Sequence, residues 1–187
     1  MANDVDILVV DDRREDLLVI ETILGDQGYG LVTATSAAAA LRKVLEHDFA
    51  AILLDVRMPD MDGFELAAFI KQRERSRLTP IIFLTAASAE IGSIYRAYSV
   101  GAVDYLMKPL DPDVLRAKVA IFAELFRKDR RIREQAEQLR ASELARLKVL
   151  NDRRYRNLAE AIPAIVWTAD PEGKLTFVNR AWVDYTG

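Results

Sequence analysis

The chain has 187 residues, with 26 Lys+Arg against 29 Asp+Glu, a formal net charge of −3, 51% hydrophobic residues and 29% charged residues. That composition excludes a wholly disordered chain, and the length suits one domain and part of another. With no cysteine and one histidine, His47, it excludes disulfides, zinc ribbons, a cysteine nucleophile and histidine-rich metal sites. No apolar run reaches the roughly 18 residues of a membrane span. The acidic opening MANDVDILVV lacks the basic start of a signal peptide, so a soluble, cytoplasmic protein is the expectation.

Residues 5–10 form a short apolar run without alternation, which predicts a strand buried on both faces. Two aspartates, Asp11 and Asp12, end it. Leu17, Ile20 and Leu24 recur at helical spacing over 16–27, and Gly28 stands where a helix cap belongs. A weak strand is expected at 31–34, and Ser36 is placed to cap a helix over 37–46. Residues 50–54 are a second buried run, closed by Asp55. Turn residues at 58–63 lead into a helix over 64–73. Pro80 opens a strand at 81–84, closed by Thr85. A helix at 90–100 is followed by Gly101, a strand at 103–106, and then Lys108-Pro109. Pro112 belongs to the first turn of the next helix, which begins near Asp111. His47, without partners, is expected to be a surface or capping residue. Five strands alternating with five helices imply right-handed crossovers and a doubly wound parallel sheet.

The last of these helices carries no Gly or Pro until about 161, too long for an ordinary globular helix. The acidic globule of residues 1–126 is followed at 127–160 by 11 Lys+Arg against 6 Asp+Glu. Acids are mixed in and aromatics are sparse, so the stretch reads as a solvated helix face rather than a nucleic-acid site. Leu125, Ile132 and Leu139 lie seven apart. Leu144, Leu147, Leu158 and Ile162 form a second stripe, out of phase with the first, which is a coiled-coil stutter. Asp129, Glu143 and Arg146 weaken the seam. Residues 127–160 would span on the order of 50 Å. A helix this polar is expected to pair with a second copy. Pro163 ends it. Strands at 165–168 and 175–178 flank a turn, and a helix opens at 179–185. Trp167 and Trp182 are expected core aromatics.

Asp11, Asp12, Asp55, Thr85 and Lys108 all fall at the ends of predicted strands. In a parallel sheet those ends share one edge, where ligands bind. Taken singly, each has an ordinary explanation as a cap, a turn residue or a surface charge. Together they make a cluster of carboxylates that needs a compensating cation. Oxygen donors without His or Cys suit Mg²⁺. A lysine and a threonine beside it suit phosphoryl oxygens.

The motifs Val9-Val10-Asp11-Asp12, Leu53-Leu54-Asp55-Val56-Arg57-Met58-Pro59-Asp60-Met61-Asp62-Gly63, Leu84-Thr85-Ala86 and Gly101-Ala102-Val103-Asp104-Tyr105-Leu106-Met107-Lys108-Pro109 resemble the receiver domain of two-component signalling. The resemblance implies a flavodoxin-like sheet of order 2-1-3-4-5 over residues 1–126. It implies that Asp55 accepts a phosphoryl group from a phosphohistidine on a histidine kinase or phosphotransfer protein. Asp11, Asp12, Asp55 and the main-chain carbonyl of Arg57 would hold Mg²⁺ or Mn²⁺. Lys108 would pair with Asp55 and then with the phosphoryl group, Thr85 would bond the phosphoryl oxygen, and Tyr105 would move with Thr85. Lys108-Pro109 would be a cis peptide. The implied chemistry is self-phosphorylation and dephosphorylation only.

Residues 155–182 resemble the start of a PAS sensor domain, an α+β fold. The expected organisation is a receiver over 1–126, a signalling helix over 127–161 and an incomplete PAS domain over 162–187. The resemblance points to a longer protein, such as a sensor histidine kinase, dimeric through the helix and the receiver. Alternatives are a regulator with another output, such as cyclic-dinucleotide synthesis, or a receiver-like interaction module that takes no phosphate. PAS domains hold haem, flavin or small metabolites; the residues here do not select among them.

Overall fold

The computed structural model describes residues 5–59, 61–86 and 103–187. The helix expected at 90–100, with Gly101, lies outside the described residues, as does Asp60. The chain divides into two compact units, Met1–Arg131 and Ile132–Gly187.

In the first unit the strands are β1 (Asp6–Val10), β2 (Gly30–Ala34), β3 (Ala51–Asp55), β4 (Ile81–Ala86) and β5 (Asp104–Lys108). They form one parallel sheet in the order β2-β1-β3-β4-β5, the doubly wound order expected. The helices are α1 (Arg14–Leu24), α2 (Ala37–Glu46), α3 (Gly63–Gln72) and the first turns of α4 (Pro112–Ala161).

Successive side chains of a strand point to opposite faces, and this builds two cores. Leu8, Val10, Ile52, Leu54, Ile81 and Phe83 pack with α2 and α3 on one face. Ile7, Val9, Leu53, Ile82, Leu84 and Leu106 pack on the other with α1 and with Leu115, Val119 and Ala123 of α4. Both faces are covered, which is why the strands read as continuous apolar runs. Each fully buried Ile, Leu or Phe contributes about 1.5–3 kcal/mol.

Local chemistry sets the helix ends. Ser36 Oγ accepts the Ala39 amide and caps α2. Asp62 and Glu65 form a reciprocal capping box at α3. Gly28 adopts φ 75° after the 3₁₀ turn Gly25–Gln27 that extends α1. Asp111 Oδ1 accepts the amides of Asp113 and Val114 at the start of α4. His47 is the exposed C-cap of α2, its amide bonded to the Lys43 carbonyl.

Three strands run further than the apolar pattern indicated. Asp55, Thr85 and Lys108 lie within β3, β4 and β5, not after them. The ladder is a main-chain structure, indifferent to the polarity of the last side chain, so Ala86 still pairs with Lys108.

α4 is a continuous helix of 50 residues. Within the second unit, β6 (Trp167–Ala169) and β7 (Leu175–Val178) form an antiparallel pair, followed by α5 (Arg180–Thr186). Asn179 is fully buried. Its amide nitrogen donates to the carbonyls of Ala159 and Ala164, and its side-chain oxygen accepts the Val166 amide. Trp167 is 56% exposed and Trp182 half-buried among the described residues.

Candidate functional site

Order 2-1-3 makes the carboxyl ends of β1 and β3 a topological switch point, where a crevice opens. Asp11 follows β1, and its main-chain N–H still donates to Ala34. Asp55 ends β3, Thr85 lies near the end of β4 and Lys108 ends β5. Asp11, Asp12, Asp55, Thr85 and Lys108 therefore line one cleft of about 240 Å³, together with Arg13, Asp16, Val56, Arg57, Leu84 and Ala86.

Gly63 keeps this edge in place. Its amide donates to Val56 at 2.9 Å, and a Cβ at this position would collide with the main-chain carbonyl of Asp55. The start of α3 thus lies directly against the end of β3, an approach that only glycine permits.

Lys108 organises the charge. Its ammonium stands 2.6 Å from Asp11 Oδ2, 2.6 Å from Asp55 Oδ1 and 2.9 Å from Asp16 Oδ2. Three donors thus meet three carboxylates. The second oxygens are held by main chain: Arg13 N–H donates to Asp11 Oδ1 at 2.9 Å, and Arg57 N–H to Asp55 Oδ2 at 2.7 Å. Burial pushes the Asp11 carboxyl above its ordinary 3.8, against the opposing pull of Lys108 and the Arg13 amide. Burial also works to lower the Lys108 ammonium, but its bonds to Asp11, Asp55 and Asp16 outweigh that and hold it above the ordinary 10.5.

The carboxylates in the cleft outnumber its partly buried ammonium, Lys108. Among the described residues no three His, Cys, Asp or Glu side chains converge as a ready metal cage; the Lys108 ammonium supplies the positive charge between Asp11 and Asp55. Tyr105 does not line the cleft; it is half-buried against the core that Phe83 and Phe64 share. The Lys108-Pro109 peptide is cis.

Sequence reasoning passed over Asp16. It reads as an ordinary first-turn acid complementing the helix dipole. The available signal was its place in the first turn of α1, which starts directly after the Asp11-Asp12 pair.

A doubly wound sheet of this order, with an acidic crevice and a lysine at its carboxyl edge, defines a flavodoxin-like α/β domain. Residues 7–120 match the response regulator receiver domain, more than half of the chain. The chain belongs to that family, and so to two-component phosphorelay signalling. Residues 153–187 match a PAS domain.

The transcriptional regulatory protein ZraR of Klebsiella oxytoca is 40% identical over 112 residues, covering 60% of this chain and 25% of the relative. GltR of Pseudomonas aeruginosa is 36% identical over 118 residues, covering 63% of this chain and 48% of that protein. The chain thus spans half or less of these curated relatives. Among solved structures, the Vibrio cholerae chemotaxis protein CheY4 superposes with a TM-score of 0.60 at 30% identity, covering 63% of this chain and 98% of that one. The receiver domain of the Pseudomonas aeruginosa sensor histidine kinase PA1611, solved with a magnesium ion coordinated in its active site cleft, gives 0.59 at 32% identity, covering 64% and 97%.

Proposed function

We propose that Asp55 is the phosphoacceptor of this receiver, taking a phosphoryl group from a phosphohistidine on a histidine kinase or phosphotransfer protein. The observation that carries the reading is the Lys108 ammonium, 2.6 Å from an oxygen of Asp55 at the end of the central strand. One Asp55 oxygen attacks phosphorus in line; the phosphorus–nitrogen bond breaks as the oxygen–phosphorus bond forms, and the imidazole leaves with its electron pair. This chemistry needs positioning and charge neutralisation more than acid–base work.

The cleft suits a hard divalent cation. Its donors are all oxygen, and four carboxylates, Asp11, Asp12, Asp16 and Asp55, line it around the single ammonium of Lys108, with the exposed Arg13 and Arg57 also present. Asp11, Asp12, Asp55 and the Arg57 carbonyl would hold magnesium or manganese, as the magnesium-bound PA1611 receiver suggests for the relative. When bound, the ion supplies charge neutralisation for the phosphoryl oxygens. Lys108 keeps its bond to the Asp55 end of the cleft and turns from carboxylate to phosphoryl oxygen. Thr85, lining the same cleft, donates its hydroxyl to that group, and Tyr105 follows it. Different binding of the phosphoryl group in two conformations then shifts the receiver's equilibrium.

The domains we assign are a receiver over 1–126, a signalling helix over 127–161 and the start of a PAS domain over 162–187. α4 packs Leu115, Val119 and Ala123 against the sheet that carries the site. The phosphorylated state is thereby passed along the helix to a PAS-linked kinase output, in a protein dimeric through that helix. The full-length protein would act in the cytoplasm.

Incubation with acetyl phosphate and Mg²⁺ tests the chemistry. One hydroxylamine-labile phosphoryl group is expected on the wild type and none on Asp55→Asn, with EDTA abolishing the gain. No labelling of the wild type, or equal labelling of the variant, overturns the assignment. Unchanged output in full-length Asp55→Asn overturns the coupling to output.

A further inference from the structure

We propose that residues 144–161 of α4 pair in parallel and in register with the same residues of a second copy, and that Asn151 of each copy faces its twin across the seam. This deepens the dimer reading above and rests on it.

Nothing among the described residues covers this face. Leu144, Leu147 and Leu158 are 68%, 56% and 57% exposed. Leu144, Leu147, Lys148, Leu150, Asn151 and Arg154 line a shallow open groove along it. With Leu144 at heptad position a, Leu147 falls at d, Asn151 at a, Arg154 at d, Leu158 at a and Ala161 at d. Five of these six core positions are uncharged. Arg154 is long enough to carry its guanidinium out of the seam. The stretch is about 27 Å long. Ile132 and Leu139 continue an exposed stripe upstream in the other phase.

Two features select a second copy over any other apolar partner. The first is Asn151. A carboxamide both donates and accepts, so an identical carboxamide at the same level satisfies it. An apolar helix laid on this face would bury it without a partner, at a desolvation cost. A single Asn at an a position is a device that favours two parallel strands in one register. The second is charge. Glu143 falls at g and Lys148 at the following e, the pair that meets between chains in a parallel dimer. In the next heptad the same two positions are Leu150 and Tyr155, both exposed, which widen the apolar seam. An antiparallel pair would set g against g, where Glu143 meets no lysine.

The chain has no cysteine, so each introduced thiol is unique. The test uses the full 187-residue chain. Sedimentation first reports whether it is a dimer. Oxidation of Leu144→Cys and of Leu158→Cys, separately, is expected to give near-complete disulfide dimers, with none for Val149→Cys at the outer f position. Asn151→Leu is expected to keep its helicity by circular dichroism and to sediment as a mixture that includes species larger than a dimer. A monomer at high concentration overturns the dimer and the pairing together. A dimer that fails to cross-link at 144 and 158 overturns the parallel register alone. An Asn151→Leu protein that stays wholly dimeric overturns the role of Asn151.

Discussion

Lys108 is the residue on which the charge of the cleft turns, so Lys108→Met is the most informative perturbation. Methionine keeps the length of the stem and removes the ammonium. Asp11, whose side chain is fully buried, loses the donor at 2.6 Å from its Oδ2 and keeps only the Arg13 amide. Removing one partner of a buried ion pair costs about 3–5 kcal/mol. Lys108 retains 23% exposure and Asp16 25%, so water screens part of the interaction. We take about 2–3 kcal/mol at pH 8, within the range for truncating a hydrogen-bonded charge pair. With an m-value of about 2 kcal/mol/M, the urea midpoint falls by about 1–1.5 M. The loss has a pH signature. Burial already raises the Asp11 carboxyl, and Lys108 is what opposes it. Without Lys108 the carboxyl moves higher still and takes up a proton on mild acidification, which removes the unpaired charge. The gap between wild type and variant is therefore widest at pH 8 and narrows as pH falls through the Asp11 value. Urea melts at pH 8 and pH 5 in EDTA, followed by circular dichroism, measure it. An equal gap at both pH values, or none at pH 8, refutes the reasoning.

The Lys108 ammonium, raised above 10.5 by its three carboxylates, contributes stability that is complete below pH 10.5 and lost as pH rises through the higher folded value. Alkaline urea melts should show this limb in the wild type and not in Lys108→Met. Gly63→Ala forces a methyl group into the Asp55 carbonyl, costs about 1–3 kcal/mol and should lower the yield of phosphorylated Asp55; full stability and full labelling would contradict the close approach. Asn179→Ala leaves the Val166 amide and the Ala159 and Ala164 carbonyls without their side-chain partner, a cost of about 1–3 kcal/mol. Hydrogen exchange should quicken at Val166 while the amides of β1 and β3 stay protected.

The local elements were legible in the sequence because their signals are local. Buried parallel strands read as apolar runs, Ser36 marked a helix start, and Gly28 marked a helix end. The cleft was legible at the level of which strand ends converge, since a parallel sheet carries every carboxyl end to one edge. Asp11, Asp12, Asp55, Thr85 and Lys108 could thus be gathered from across the chain before any distance was known. Tertiary structure decided what those residues do to one another. Lys108 meets Asp11 across a sequence separation of 97 residues, and it recruits Asp16, which the sequence presents as an unremarkable helix acid. Exact strand ends also belonged to the ladder, whose hydrogen bonds ignore side-chain polarity. Periodicity and turn chemistry act within a few residues and can be read from the chain; charge compensation and burial depend on what folding brings into contact.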